Sequence, residues 1–462
     1  MAGAPGEGGG RHRAPRLEAL DAPRWLASIQ IMLSHFYTDD HFQHRASLLG
    51  PPNRGEWWHE FARYGRNWTQ FFFLLSGFVL AYVEMTRPLQ KAAPMSLLSY
   101  VRRRLITIYP AYLFALFTWF LLVIQFDGGD MVGSFQWKTL LPSTLLMQSW
   151  VVVCSDHNNS AWSWNTPAWF LSALVVYWCL VRQVASFFRG RGFASSYFCL
   201  FGLWAFSLVP GFVAELFQPW DNCMNINIMA GSVGYFHVFI AGIVSARIFI
   251  LTCFKDAQTD SAVTTDTECL ALDPERAPLA FRYGCSVGYL LYFVYFVCVD
   301  MQALPFFFHN GGVMPIMLLI IVGASIGTDP IAKYIFQTRL FRTLGELSYA
   351  QYLMQAPLYM FFQVVTGTSK GEKLPLPAQT LYPLALIAVG YVVQNLVQTP
   401  YAEWLRWRQE KGIVGVDEQA IARIDGMLDR CWQRCREQRT KKSLGTTENF
   451  DGQDNQLRST GV

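Results

Sequence analysis

The stretch WTQFFFLLSGFVLAYVEM (68–85) carries a single charged side chain, Glu84, next to its last residue. As a helix, an apolar run of this length is long enough to cross a hydrocarbon core of about 30 Å. The rest of the chain has the same character, because 52% of its 462 residues are hydrophobic, 16% are aromatic and only 15% are charged. This composition indicates a polytopic membrane protein, and we expect no nucleic-acid partner.

We predict an all-α fold, a polytopic membrane helical bundle of about ten transmembrane helices. The weakest candidate span lies at 24–38, because its apolar core from Trp25 to Phe36 has the length of a buried or re-entrant helix. The other nine apolar runs are 68–85, 105–126, 168–187, 194–216, 229–251, 281–300, 303–326, 343–366 and 378–402.

Lysine and arginine are concentrated in alternate loops between these runs, and such loops are normally cytosolic. The first loop is an exception, since it contains several arginines although it lies on the other side. Counting crossings puts the N-terminus in the cytosol only if 24–38 spans the membrane. With ten crossings, we expect both termini to be cytosolic. The basic loops contain Arg87, Lys91 and Arg102–Arg104; Arg182, Arg189 and Arg191; Arg247, Lys255, Arg276 and Arg282; and Lys333, Arg339 and Arg342.

The chain divides into four predicted segments. Residues 1–20 begin glycine-rich and charged, which indicates a disordered cytosolic leader. Residues 22–403 form the membrane-embedded domain. Apolar residues recur at helical spacing among charged residues in 404–440, which predicts a cytosolic amphipathic helical tail, and the polar residues 441–462 indicate a disordered C-terminus.

The candidate catalytic residues lie in RWLASIQIMLSHFYTDDH (24–41). Arg24 and His35 are eleven residues apart, about three helical turns, so they share one helix face and are separated by about 16 Å along the axis. Asp39 follows one turn later on the same face. A histidine partly withdrawn from water favours its neutral form, which can accept a proton from a hydroxyl group. Asp39 either orients the histidine ring, as the acid of a catalytic triad does, or caps the helix end in water.

Five segments in order resemble the signature segments of the acyltransferase-3 family. The resemblance covers roughly residues 22–400 and implies a ten-span membrane enzyme that moves acyl groups, often acetyl, onto carbohydrates or other acceptors. It also implies a catalytic role for Arg24 and His35, which match the family's Arg-x10-His motif. The segments are FFFLLSGFVLAY (71–82), SYVRRRLITIYPAYLFAL (99–116), NTPAWFLSALVVYW (165–178), YFHVFIAGIVSAR (235–247) and LGELSYAQYLMQAPLY (344–359).

Three positions depart from the family pattern. Thr107 stands where the second arginine of an Arg-x-x-Arg motif is usual, Leu174 where a glutamate is common, and Gln355 where a histidine is often found. These changes indicate an altered donor or acceptor, and they leave open that the chain has lost activity.

The remaining site predictions concern binding of the substrates. Arg102, Arg103 and Arg104 are candidate ligands of the acyl-CoA phosphates, because guanidinium groups match phosphate geometry; the alternative is ordinary anchoring at the cytosolic face. His237 lies within a predicted span, where it either lines a substrate path or makes a structural hydrogen bond. We predict no metal site and no bound cofactor. The candidate residues lining a central polar cavity are Ser76, Trp169, His237, Tyr349 and Gln355.

The sequence thus predicts an integral membrane acyltransferase. We expect it to move an acyl group, acetyl by the resemblance, from cytosolic acyl-CoA as co-substrate to a hydroxyl group of a carbohydrate or lipid acceptor, in contact with membrane lipids. One alternative is a secondary transporter or channel that uses the same polar residues as a substrate path. The other is a catalytically inactive family member.

Overall fold

The described part of the computed structural model is helical, apart from a short antiparallel ladder between β1 (Cys154–Ser155) and β2 (Asn158–Asn159) and an isolated antiparallel bridge between Phe254 and Leu272. The predicted all-α fold is therefore confirmed. The structure describes residues 17–36, 61–86, 96–126, 134–151, 154–155, 158–159, 164–209, 212, 233–254, 272–300, 304, 307–368 and 374–411.

Several helices of this part of the chain are joined by short 3-10 or π turns. The 3-10 turns are Glu18–Leu20, Tyr64–Asn67, Thr166–Ala168 and Pro274–Arg276, and the π turns are Phe308–Gly312, Ala332–Phe336 and Gln394–Gln398. The α-helices are α1 (Asp21–Phe36), α2 (Trp68–Met85), α3 (Leu97–Phe126), α4 (Ser134–Thr144), α5 (Trp169–Arg189), α6 (Phe193–Phe206), α7 (Phe236–Cys253), α8 (Leu279–Arg282), α9 (Gly284–Cys298), α10 (Met314–Ile326), α11 (Arg339–Thr366), α12 (Leu376–Val393) and α13 (Thr399–Glu410).

Within the described residues, 6 helical stretches are long and apolar enough to cross a membrane. Each corresponds to one of the predicted spans. The four remaining predicted spans contain α1, α6 and α9, which have 16, 14 and 15 residues, and α11, which has 28 residues but is more polar. Ten crossings therefore stay a prediction. The 6 stretches are Phe61–Met85, Leu97–Gln125, Thr166–Arg189, Phe236–Cys253, Phe308–Ile326 and Leu376–Arg408.

The core of the bundle lies where α2 crosses α7. The backbone of Gly77 faces the carbonyl of Phe239, and that of Gly242 faces the carbonyl of Leu74, so a Cβ atom at either glycine would overlap the opposite helix. Small residues at a crossing let two membrane helices approach closely. Fully buried aromatic rings surround this crossing: Phe71, Phe73, Phe78, Phe239 and Phe249.

Contacts along the helices give their relative directions. Phe73, early in α2, stacks on Tyr235 just before α7, and Tyr82, late in α2, lies beside Phe254 just after α7. Positions advance together along both helices, so α2 and α7 run in the same direction. The same comparison shows that α5 runs parallel to α2, and that α6 with α7, α9 with α10, and α11 with α12 are antiparallel pairs.

The chain forms two compact units. The first contains the described residues within 1–92 and 107–400, and the second contains the described residues within 93–106 and 401–462. Glu18–Leu20, at the end of the predicted leader, form an ordered 3-10 turn in which Ala19 and Leu20 are buried. The predicted disorder of residues 1–16 and 441–462, and the predicted tail beyond residue 411, lie outside the described residues.

Candidate active site

Helices α1 and α11 lie side by side in the first unit. Arg24, near the start of α1, donates from Nη2 to the carbonyl of Gly345 (3.3 Å), and His35, near the end of α1, contacts Gln355. Contacting residues stay 320 to 324 positions apart along this interface, so the two helices run parallel. The structure therefore places Arg24 and His35 on the face of α1 that meets α11, as the three-turn spacing predicted.

Gln355 orients the ring of His35. The His35 Nδ1 atom is 3.2 Å from Gln355 Oε1, and Gln355 Nε2 donates to the carbonyl of Tyr352 (2.8 Å). The amide nitrogen can only donate, so its bond to Tyr352 turns the oxygen toward the ring. A neutral His35 must then carry its proton on Nδ1, which leaves the lone pair on Nε2. In this geometry Nε2 is the nitrogen that can act as a base.

A third helix, α12, also forms a hydrogen bond with Gln355. The hydroxyl of Tyr382, on α12, donates to the backbone carbonyl of Gln355 (2.7 Å). Phe36, next to His35, stacks on Tyr359 of α11 with ring centroids 4.7 Å apart and lies 5.3 Å from the ring of Tyr382. Gln355 is fully buried and His35 is half-buried. The histidine therefore lies where α1, α11 and α12 meet, with its ring supported by buried neighbours.

Arg24 is held at the opposite end of the same face. Its Nη1 atom donates to Asp21 Oδ1 (3.0 Å), one turn earlier in α1, and its Nη2 atom is 3.4 Å from Ser348 Oγ. The side chain of Asp21 is 9% exposed and that of Arg24 is 35% exposed. Part of the guanidinium charge is thus balanced within α1, while the side chain ties α1 to α11.

A proline in α11 explains how the segment around Asn165 is attached to the site. Pro357 has no N–H group and cannot donate to the carbonyl of Leu353, one turn earlier. Asn165, just before α5, supplies the missing donor from Nδ2 (3.1 Å). The hydroxyl of Tyr352 also donates to the carbonyl of Pro167 (2.7 Å). The NTPAW segment is therefore fixed to the turn of α11 that carries Gln355.

Trp169 and His237, two of the predicted lining residues, have other partners. Trp169 is buried beside the rings of Phe73 and Tyr235. His237 is buried, and its Nε2 atom is 3.1 Å from Ser207 Oγ. The contact of His237 with Ser207 is a hydrogen bond between two segments of the bundle, and a role of His237 in a substrate path stays a prediction.

Ser76 and Tyr349 complete the predicted lining set. Ser76 is half-buried on α2, and the hydroxyl of Tyr349 donates to the carbonyl of Ile108 on α3 (2.8 Å). The Tyr349 hydroxyl thus joins two helices. Gln355, also one of the five predicted lining residues, contacts His35.

The predicted donor-binding arginines belong to the second unit. Arg103 is exposed, Arg102 and Arg104 are half-buried, and the guanidinium of Arg104 lies 5.4 Å from the ring centre of Tyr100. Their binding of phosphate stays a prediction. Asp39 lies outside the described residues, so its role in orienting His35 is also untested, although Gln355 already occupies the Nδ1 side of the ring.

Sequence reasoning missed the residues that hold the two candidates in place. Asp21 and Ser348 contact Arg24, and Asn165 reaches α11 across nearly 190 residues of sequence. Only Pro357 gave a signal, because a proline inside a long apolar run frees a carbonyl that needs a donor. The identity of the donor depends on helix packing, which the sequence pattern does not specify.

The fold and site define a membrane-embedded helical protein with a candidate base at a helix junction. The family model of the acyltransferase domain of the acyltransferase-3 family matches residues 17–394, and the chain belongs to this family. A curated relative, "Acyltransferase MdmB" of Streptomyces mycarofaciens, is 26% identical over 178 residues, which cover 37% of this chain and 42% of the relative. The alignment thus spans less than half of that relative's length. No solved structure matches the chain.

Proposed function

We propose that this protein is an integral membrane acyltransferase that moves an acyl group, acetyl in the simplest case, from cytosolic acyl-CoA to a hydroxyl group of a carbohydrate or lipid. The observation that carries the proposal is the His35–Gln355 pair, which makes Nε2 the basic nitrogen whenever the ring is neutral. Family membership supports acyl transfer in general. The donor, the acyl chain and the acceptor are part of the proposal.

In the proposed reaction, Nε2 of His35 takes the proton of the acceptor hydroxyl while the acceptor oxygen forms a bond to the thioester carbonyl carbon. The carbon–sulfur bond then breaks, the CoA thiolate leaves, and the imidazolium returns its proton to that sulfur. Gln355 accepts a hydrogen bond from Nδ1–H throughout, and this favours the imidazolium when it forms. Gln355 is thus a positioning residue, with one of the two functions that were predicted for Asp39.

Arg24 has two functions in this proposal. Its bonds to Gly345 and Ser348 fix the register of α1 against α11, and its positive charge attracts the phosphates of the donor. Asp21 balances part of that charge, so Arg24 serves donor binding less strongly than an isolated arginine. Arg102, Arg103 and Arg104 are the further proposed ligands of the phosphates.

We propose ten crossings with both termini in the cytosol. In a ten-span chain, odd-numbered helices run one way and even-numbered helices the other. The described pairs agree with this rule: α1 and α11 would be spans one and nine and run parallel, and α2, α5 and α7 would be spans two, four and six and also run parallel. This agreement supports a crossing by α1 despite its 16 residues.

The test is acyl transfer by the purified protein in detergent, with released CoA thiol measured by a thiol-reactive dye. We expect acetyl-CoA to release thiol faster when a hydroxyl acceptor is added, and radiolabelled acetate to appear on that acceptor. Detergent solution has no gradient, so transport is not scored. Folded protein that releases no thiol from any acyl-CoA, with either sugar or lipid acceptors, would contradict the proposal.

One observation favours transport as a second candidate function. The helical run Phe308–Ile326 is broken near its start, where Asn310 and Gly311 have non-helical backbone angles and Gly311 has φ of 130°. Broken helices at membrane depth line substrate sites in transporters. Uptake of labelled sugars into proteoliposomes by the His35→Ala variant, which is expected to be inactive in acyl transfer, would favour this second function.

A further inference from the structure

Gln351 is a buried amide on α11, between the two ends of the candidate site. It follows Ser348, which contacts Arg24, by three residues and precedes Gln355, which contacts His35, by four. Each step is about one helical turn, so Gln351 lies about 6 Å along the axis from Gln355. It is also about 40° around the helix from Gln355. That rotation turns it toward α12, where a Cβ atom on Gly390 would overlap its side chain.

The amide of Gln351 lacks hydrogen-bond partners in the structure. Its Nε2 and Oε1 atoms are both buried and neither bonds to any described residue, while the residue as a whole is 0% exposed. Other buried glutamines of α2 and α11 keep at least one bond: Gln70 donates to the carbonyl of Phe308, and Gln355 donates to the carbonyl of Tyr352. Burying an unpaired amide is unfavourable, and such a group at a site calls for a ligand that pairs with it.

We infer that Gln351 binds an amide of the pantetheine arm of the acyl-CoA donor, an inference that rests on the proposed function. A secondary amide offers one N–H group and one carbonyl, which match the acceptor Oε1 and the donor Nε2 of Gln351. The first pantetheine amide stands two methylene groups from the thioester sulfur. That distance is comparable to one helical turn, about 5.4 Å, and one turn separates Gln351 from Gln355.

This position suits an arm that runs from Arg24 to His35. Its phosphate end would lie near Arg24 and Ser348, its amide beside Gln351, and its thioester beside His35. Gln351 thereby recognises the donor by its amide and not by its acyl group. Removing either the side-chain amide of Gln351 or the pantetheine amide should abolish the same hydrogen bonds. Removing both should therefore weaken the donor interaction no more than removing one.

The experiment compares two donors in two forms of the protein. One donor is S-acetyl-N-acetylcysteamine, which keeps the first pantetheine amide, and the other is its analogue with methylene groups in place of the amide. In the wild type we expect kcat/KM to be about tenfold higher for the amide donor. In Gln351→Leu, we expect kcat/KM for the amide donor to fall about tenfold, while kcat/KM for the amide-free donor stays at its wild-type value.

Controls separate this inference from a structural effect of the substitution. Gln70→Leu removes a buried glutamine of α2, and it should preserve the preference for the amide donor. Gln351→Met keeps the length of the side chain and should behave like Gln351→Leu, so the test survives poor folding of the leucine variant. An equal loss with both donors, or no loss, in the Gln351 variants would overturn the inference alone. A wild-type protein that transfers from neither donor nor from acetyl-CoA would overturn the proposed function, and this inference with it.

Discussion

At the scale of single residues, the chemistry depends on which nitrogen of His35 holds the proton. The contact with Gln355 Oε1 assigns it to Nδ1, and Gln355→Leu removes that acceptor. We expect kcat to fall by about tenfold or more in this variant, with little change in KM for acetyl-CoA, because the ring loses its orientation while the donor site stays. Steady-state kinetics with acetyl-CoA measures both parameters.

Two further variants test whether Gln355 positions the ring. Gln355→Glu keeps an acceptor at Nδ1 and should recover much of the activity that the leucine variant loses. Gln379→Leu removes another buried glutamine, on α12, and should leave kcat near the wild-type value. If the leucine and glutamate variants at 355 are equally slow, an acceptor at Nδ1 is not what the reaction requires.

Replacing His35 and replacing Arg24 should impair different steps of the reaction. His35→Ala removes the base, a role that commonly contributes 10²–10⁴-fold, so single-turnover transfer should be lost while acetyl-CoA still binds. Arg24→Ala should chiefly weaken acetyl-CoA binding, because the chemistry at His35 is about 16 Å away. Equilibrium binding and single-turnover rates, measured on folded protein, distinguish the two. If the His35→Ala variant transfers acyl groups at the wild-type rate, His35 is not the base and only packs in the bundle.

At the scale of helices, α11 is stabilised by a donor from another part of the chain. Asn165→Leu should lower stability by about 1 kcal/mol, because the carbonyl of Leu353 then has no partner in a buried place. The loss should be smaller when Pro357→Ala is also present, because alanine restores an N–H group that can reach the same carbonyl. Thermal unfolding in detergent, followed by the reactivity of buried Cys253 and Cys285, measures these differences.

The double-substitution comparison contains its own control. Pro357→Ala alone should have a small effect, since Asn165 already satisfies the carbonyl of Leu353 in that background. Equal losses from Asn165→Leu with and without Pro357 would show that Asn165 stabilises the protein through other contacts.

At the scale of the whole molecule, the number of membrane crossings determines which side of the membrane the His35 end of α1 faces. With ten crossings the leader is cytosolic. A cysteine introduced at Ala4, in a background without other reactive cysteines, should therefore resist a membrane-impermeant thiol reagent in right-side-out vesicles and react after the vesicles are opened. Efficient labelling from outside would show that the leader is not cytosolic and that α1 does not cross the membrane.

The sequence by itself determined the membrane character, the helical class and the family. Apolar runs and loop charges depend on composition along the chain, and five ordered segments resemble the family without reference to packing. The shared face of Arg24 and His35 was equally predictable, because three helical turns separate them whatever surrounds the helix.

Only the tertiary structure decided what each of these residues touches. The acceptor for the His35 ring comes from Gln355, 320 residues away in sequence, and the partner of Leu353 comes from Asn165. Such pairs depend on which helices are neighbours and in which direction they run, and helical periodicity specifies a face but not the helix it meets. The same limit explains why the sequence did not predict the contact of His237 with Ser207.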